Sequence, residues 1–255
     1  FDENLTRDVI TINGREPTKR ELQRVESVLN SIRVLARKDV KARIASVNSL
    51  SKGKGLGFSA SAFASLGLAA ARALNLQISL RKLSEIVRLG TGSATRSLVG
   101  GYAIWYAWKR GFSYAEQLAK PGDIDMQMIV VPIHSEVKTE VAHQEALTSP
   151  FFDARLRYLR GAIAKMKRAI RLRDIARICE LTEIDTLNLH ATTMTGDSRL
   201  FVLKPETLRV METVADMRSR EEVPVWYSMD TGPSVFVNTL PEYGSLVEKR
   251  IREET

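Results

Sequence analysis

The sequence predicts an α+β fold, and three patterns carry that prediction. Short β-patterned runs concentrate before Ile133, long amphipathic helical patterns dominate after Phe152, and two glycine-rich stretches punctuate the first half. No internal repeat or low-complexity segment interrupts them.

Taken in order, Asp8 to Ile12 reads as a short strand closed by the turn signal Asn13-Gly14. Thr18-Lys-Arg-Glu21 is a capping box, and Leu22, Val25, Leu29 and Ile32 fall on one face of the helix it opens. Lys41 to Val47 alternates like a strand. It leads into Ser51-Lys-Gly-Lys-Gly-Leu-Gly-Phe-Ser-Ala60, and the small and apolar run from Ser59 to Leu74 favours helix. Ser79 is placed to cap a helix reaching about Leu89, which stops at Gly90-Thr-Gly-Ser-Ala-Thr-Arg-Ser-Leu-Val-Gly-Gly101. Tyr102 to Trp108 and Met126 to Ile133 read as buried strands. Phe152 to Arg171 and Asp174 to His190 are long amphipathic helices, and Pro205 opens another to about Met217. Val225 to Met229 and Ser234 to Asn238 are strands flanking Asp-Thr-Gly-Pro, with a last helix near Tyr243 to Arg252. The change of character divides the chain into residues 1–148 and 149–255.

Composition narrows the partners. With 255 residues, 44% hydrophobic and 27% charged, the chain has the make-up of an ordinary globular protein of one large or two small domains. Its formal charge of +8 suits an anionic partner, either nucleic acid or a small polyanion. The single cysteine, Cys179, excludes an internal disulfide and suits a reducing compartment. No apolar run reaches the roughly 18 residues of a spanning helix and no signal peptide is visible, so the expected setting is the cytosol, away from membranes. Phe1 is an unusual start, and residues upstream of it are expected.

Three places carry chemistry. Gly53, Gly55 and Gly57, with Lys52 and Lys54, lie before a helix whose first N–H groups and positive dipole end favour phosphate. The loop is neither a Walker A motif nor a dinucleotide fingerprint, and a plain turn before a core helix is the alternative. In the second glycine stretch, Thr91, Ser93, Thr95 and Ser97 supply hydroxyls around Arg96, whose planar fork suits a carboxylate or phosphate. A helix C-cap with a solvated Arg is its bland counterpart. Asp230 ends an apolar strand, where a general base or metal ligand would stand, or where an Asx-turn residue would. His134 and His143 lack the neighbours of a zinc site, His190 reads as structural or solvated, and Cys179 reads as core.

The conjunction of Gly-Leu-x-x-Ser-Ala, Arg-Leu-Gly-Thr-Gly-Ser-Ala-Thr-Arg-Ser-Leu-Val-Gly-Gly-Tyr, Leu-His-Ala and Met-Asp-Thr-Gly-Pro-Ser-Val-Phe-Val resembles the mevalonate diphosphate decarboxylase family of the GHMP kinase superfamily. The similarity runs from about Val9 to near the C-terminus and includes Tyr114-Ala-Glu-Gln117, expected between strands. It implies a ribosomal-protein-S5-like half and a ferredoxin-like helical half around a deep cleft. It also implies ATP and Mg2+, a homodimer, and further N-terminal residues bringing a substrate-binding Lys and Tyr.

The resemblance assigns roles residue by residue. Asp230 matches the Asp that orients or deprotonates the substrate's tertiary hydroxyl, and Arg96 the Arg that holds its carboxylate. Thr91, Gly92 and Ser93 match a substrate-binding Ser-Gly-Ser. Gly53, Lys54, Gly55, Gly57, Ser59 and Ala60 match the ATP-phosphate loop, with Phe58 in place of a small polar residue; no residue is singled out as a metal ligand. The implied reaction phosphorylates the 3-hydroxyl of a phosphorylated mevalonate, after which phosphate and CO2 leave.

One departure bears on the substrate. About ten residues before Thr148-Ser149, diphosphate-specific members carry Ser-Arg, and this chain has Lys138-Thr139, with His143-Gln144 in the same loop. Loss of the Arg fork points to mevalonate 5-phosphate as substrate, the phosphomevalonate decarboxylase branch of the family. Lys138 leaves a diphosphate enzyme open, and a bisphosphomevalonate decarboxylase or a mevalonate-type kinase are further readings. An S5-like RNA-binding module is the rival of another class, but Trp105, Tyr106 and Trp108 do not interleave with the basic residues as a stacking platform would. No nucleic-acid partner is therefore expected.

Overall fold

The computed structural model describes residues 1–49, 57–107 and 112–254. They form two compact units, one ending at Pro121 and the other running from Gly122 onward. The fold is α+β, and among the described residues no helix is long and apolar enough to cross a membrane.

In the first unit, β1 (Val9–Ile12) pairs in parallel with β2 (Arg43–Ser46), Ile10 opposite Ile44. Parallel neighbours need a crossover, and α1 (Lys19–Ala36) supplies it. The Thr18 hydroxyl accepts from Glu21 N–H at 3.3 Å while the Glu21 carboxylate accepts from Thr18 N–H at 2.8 Å, so the capping box forms in full. Val25, Val28, Leu29 and Ile32 of α1 are buried in the core of this unit. Beneath them Arg33 and Asp8 form an ion pair with both side chains under 8% exposed, 6% and 7%. Arg33 Nε also donates to the Val40 carbonyl at 2.7 Å, and Asp8 accepts from Ala42 N–H at 2.7 Å. Each buried charge is thereby satisfied on more than one side.

Helix α2 (Phe58–Ala73) packs on α3 (Leu80–Val87) and α4 (Ala94–Val99), and β3 (Tyr102–Ala107) pairs antiparallel with β4 (Ser113–Ala119), Trp105 opposite Ala115. Ser84 of α3 accepts from Ala115 N–H at 2.9 Å, which ties the helices to the ribbon. The second glycine stretch therefore contains a short helix, and Ser113–Ala119 is a strand in its own right. Most of β3 is half-buried where a buried strand was expected, because a two-stranded ribbon leaves surface open. Trp108, the expected last residue of that strand, lies outside the described residues.

The second unit is built on an antiparallel sheet of order β5-β7-β6, comprising β5 (Gln127–Val131), β6 (Val225–Ser228) and β7 (Val235–Thr239). Met128 and Val130 of β5 are 49% and 41% exposed, so this strand is covered on one face, where the sequence suggested a buried run. The helices are α5 (Thr139–Thr148), α6 (Phe152–Leu172), α7 (Ile175–Met194), α8 (Pro205–Arg220) and α9 (Gly244–Glu254). His143 and Gln144, which the sequence suggests lie in a loop, stand on α5, where Ala142, Glu145 and Ala146 recur at helical spacing and bury one face. Val210, Val214, Met217, Val225, Val235, Val237 and Val247 are fully buried in one cluster, each worth about 1.5–3 kcal/mol of burial. Glu183 of α7 binds both ends of the Arg218 fork at 2.9 and 3.0 Å and accepts from Tyr227 N–H at 3.2 Å, joining α7, α8 and β6. Cys179 is buried, and burial pushes its thiol up to about 12, which makes it an inert part of the packing.

Candidate active site

The first cluster of candidate residues forms where α3 gives way to α4. The Thr91 carbonyl accepts from Ala94 N–H at 3.1 Å, and the Gly92 carbonyl accepts from the Thr95 backbone at 3.2 Å and the Thr95 hydroxyl at 2.8 Å. These bonds wind Thr91 to Arg96 into one tight turn, with Thr91 and Gly92 half-buried and Ser93 and Arg96 exposed. The turn is pinned from α2 and α1. Phe63 fills the space where Gly90 has no side chain, and Arg24 Nε donates to the Gly90 carbonyl.

Trp105 of β3 forms the wall of this cluster. A Cβ on Gly92 would stand 2.7 Å from its Cη2 atom, and the Arg96 guanidinium carbon lies 5.8 Å from the ring centroid. Trp105 Nε1 donates to the Ser113 hydroxyl on β4 at 2.7 Å, which fixes the ring. A guanidinium resting over an aromatic face keeps its N–H edge free for a planar acceptor. The sequence places Trp105 in a strand and speaks against its forming a stacking platform for bases; it does not point to Trp105 as part of the site. Its place beside Gly92 and Arg96 could have been suspected from its position in the strand that follows the glycine stretch.

The second cluster is the start of α2. Gly57 is the N-cap with φ +70°, a conformation that favours glycine, and no side chain caps the helix there. Among the described residues no side chain accepts from the first-turn N–H groups around Ser59 and Ala60, Ser59 exposed and Ala60 buried, and the start of a helix favours an anionic acceptor. Gly53, Lys54 and Gly55, assigned to the same phosphate site, lie outside the described residues.

The remaining candidates belong to the second unit. Asp230 is exposed in the turn between β6 and β7, while its neighbour Met229 is buried in the core. His190 Nε2 lies 3.0 Å from the Asp230 carbonyl. A carbonyl only accepts, so Nε2 carries the proton, and burial holds the imidazole below its ordinary pKa and therefore neutral. One turn earlier, Thr186 accepts from Met229 N–H at 3.0 Å. At the far end of the turn the Thr207 hydroxyl donates to the Pro233 carbonyl at 2.9 Å. His190 is thus buried and bonded to the backbone of Asp230, a contact across 40 positions of sequence that no local pattern announces.

Lys138 and Thr139 stand at the N-terminal edge of α5, both exposed, Lys138 as N-cap and Thr139 as the first helical residue. This helix is seated from behind. Glu145 accepts from Ser198 N–H at 2.7 Å, Thr148 from Asp197 N–H at 2.9 Å, and the Ser149 and Thr195 hydroxyls lie 2.7 Å apart. His143 is exposed on the same helix.

Among the described residues no group of three or more His, Cys, Asp or Glu side chains comes together to hold a metal. A magnesium ion carried by nucleotide phosphates needs only one or two protein oxygens beyond water and phosphate, so the donor set is compatible with it.

The fold is that of the GHMP kinases in the form adopted by decarboxylases of phosphorylated mevalonate. The mevalonate diphosphate decarboxylase of Staphylococcus aureus superposes with a TM-score of 0.91 at 31% identity, covering 100% of this chain and 78% of that one. The mevalonate diphosphate decarboxylase of Enterococcus faecalis superposes at 0.87 with 28% identity, covering 100% and 79%, and a complex holding MVAPP, AMPPCP and magnesium matches at the same score. In sequence, the phosphomevalonate decarboxylase of Haloferax volcanii is 34% identical over 254 residues, 99% of this chain and 78% of that protein. Residues 1–115 match the diphosphomevalonate decarboxylase-like N-terminal domain and residues 133–253 the mevalonate 5-diphosphate decarboxylase C-terminal domain. The chain belongs to the mevalonate 5-diphosphate decarboxylase family.

Proposed function

We propose that this member of a family of ATP-dependent carboxy-lyases acts on mevalonate 5-phosphate and yields isopentenyl phosphate, ADP, phosphate and CO2. The observation that carries the choice of substrate is Lys138-Thr139 at the exposed start of α5, where diphosphate-specific members bear Ser-Arg. A Thr hydroxyl cannot replace a bidentate charged donor worth about 1.5–3 kcal/mol to a terminal phosphate. The Haloferax volcanii relative, whose name specifies phosphomevalonate, supports the same reading.

The roles are those the family resemblance implies, and the side-chain chemistry suits each. Asp230 accepts a hydrogen bond from the substrate's 3-hydroxyl and takes its proton as that oxygen attacks the γ-phosphorus of ATP. Phosphate then leaves C3, the C1–C2 bonding pair becomes the new double bond, and CO2 departs. Arg96, steadied by Trp105, holds the carboxylate in its fork until that bond breaks. Thr91, Gly92 and Ser93 line the substrate, and Gly57, Ser59 and Ala60, together with Gly53, Lys54 and Gly55, receive the ATP phosphates at the start of α2. Magnesium, when bound with the nucleotide, supplies charge neutralisation for the transferred phosphoryl group. The same reading takes the protein to be a cytosolic homodimer, an expectation that rests on the family resemblance and the single cysteine.

The test is turnover with ATP and either mevalonate 5-phosphate or mevalonate 5-diphosphate, scoring ADP, phosphate and CO2. Preference for the monophosphate with all three products is expected. Preference for the diphosphate would assign the second phosphate to Lys138, whose ammonium stands at a helix N-terminus that favours anions. ADP without CO2 would make the chain a kinase.

A further inference from the structure

The turn that carries Asp230 has no ladder partner of its own, because β6 stops at Ser228 and β7 begins at Val235. Gly232 in its middle has nothing within 4 Å of the place a Cβ would occupy. The turn is held from α7 instead, where Thr186 and His190, spaced four residues apart and both 3% exposed, present their polar atoms to Met229 and Asp230. Thr186 accepts from the Met229 N–H at 3.0 Å and His190 donates to the Asp230 carbonyl at 3.0 Å, so the two bonds bracket the Cα atom from which the carboxylate projects.

We propose that His190 is a positioning residue for this reaction. Its Nε2–H fixes the peptide that follows the Asp230 Cα atom, and thereby the direction of the Asp230 carboxylate. The inference rests on the reading of Asp230 as the group that holds the substrate hydroxyl. His190 itself touches neither substrate nor nucleotide in this account. A bond of ordinary strength is enough for the task, because a misplacement of about 1 Å at reacting groups costs on the order of 100-fold in rate.

The experiment compares His190→Leu, His190→Gln and Asp230→Asn, and the double variant His190→Leu/Asp230→Asn, in steady-state turnover and in folded fraction by circular dichroism. His190→Leu is expected to lower kcat about 30-fold with both KM values within about 2-fold, because orientation matters most in the transition state. His190→Gln, whose amide N–H reaches where Nε2 stood, is expected to recover most of the loss. In the Asp230→Asn background, His190→Leu should add no further loss, since both act on the same carboxylate. Unchanged kcat in a folded His190→Leu, a loss confined to KM, or full multiplicativity in the double variant would each overturn the inference while leaving Asp230 as read. Near-normal activity of Asp230→Asn would overturn the reading of Asp230 itself. Should His190→Leu fail to fold, His190→Gln against His190→Asn, whose shorter amide misses the carbonyl, makes the same comparison, and equal kcat in that pair would overturn it.

Discussion

Trp105 lies against Gly92 with no room for a methyl group between them: a Cβ on Gly92 would stand 2.7 Å from the indole Cη2 atom. The ring is not free to swing away, because Nε1 is bound to Ser113 on the paired strand at 2.7 Å. Gly92→Ala must therefore displace the ring on which Arg96 rests. The expected result is a loss of about 1–3 kcal/mol in denaturant unfolding, with KM for the mevalonate substrate rising more than KM for ATP.

Arg96→Lys keeps the charge over Trp105 and removes the planar fork. A single ammonium holds a carboxylate in one orientation less well, so kcat/KM for the mevalonate substrate should fall about 100-fold while ATP binding is preserved. Nucleotide titration and initial rates separate the two effects. Equal losses in both would place Arg96 in general folding.

Thr139→Arg restores a guanidinium to an exposed first-turn position of α5. The ratio of kcat/KM for mevalonate 5-diphosphate over mevalonate 5-phosphate is expected to rise about 10-fold, the equivalent of one charge-assisted bond in a partly exposed setting. Rates with the two substrates measured side by side check it, and an unchanged ratio would move the second-phosphate determinant elsewhere.

Asp8→Ala leaves the Arg33 guanidinium buried without its carboxylate. Removing one partner of such a pair costs about 3–5 kcal/mol, far more than removing an exposed one. Equilibrium unfolding in urea reads this directly, and Lys82→Ala, which breaks a more exposed pair with the half-buried Glu85, is the matched control.

Glu21 gives the fold a local acid sensitivity. Its hydrogen bond to Arg15, then its bond to Thr18 N–H, hold the carboxyl at about 2, below its ordinary value of 4.5. Because the folded value is the lower one, the contribution is complete above about pH 4.5 and is lost as the pH falls toward 2. The stability difference between the native chain and Glu21→Gln should therefore shrink through that window, and thermal melts at pH 6 and pH 2 compare the two ends.

Much of this was legible in the residues. The capping box at Thr18 and the spacing of Val25, Leu29 and Ile32 specify α1 locally, and the two apolar runs around Asp-Thr-Gly-Pro specify a β-hairpin with Asp230 in its turn. What escaped the sequence depends on distant partners. Ala94–Val99 sits among glycines and hydroxyl residues of poor helix propensity, and it is helical because Ala94, Thr95 and Leu98 are buried. Ser113–Ala119 mixes Glu116 and Gln117 with small residues and becomes a strand through its pairing with β3. A lone histidine at position 190 says nothing until the carbonyl it meets, 40 positions later, is in place.

The sheet of the second unit has a consequence for biosynthesis. β5 pairs with β7, and Ile133 N–H is bound by the Ser234 hydroxyl 101 positions away. On the ribosome β5 emerges long before β7, so its apolar edge stays open while α5 to α8 are being made, and the sheet closes only once Thr239 has cleared the exit tunnel. The first unit, whose strand pairs span shorter stretches of chain, is free to fold ahead of it, and the window in which β5 is unpaired is where a chaperone would be most useful to this protein.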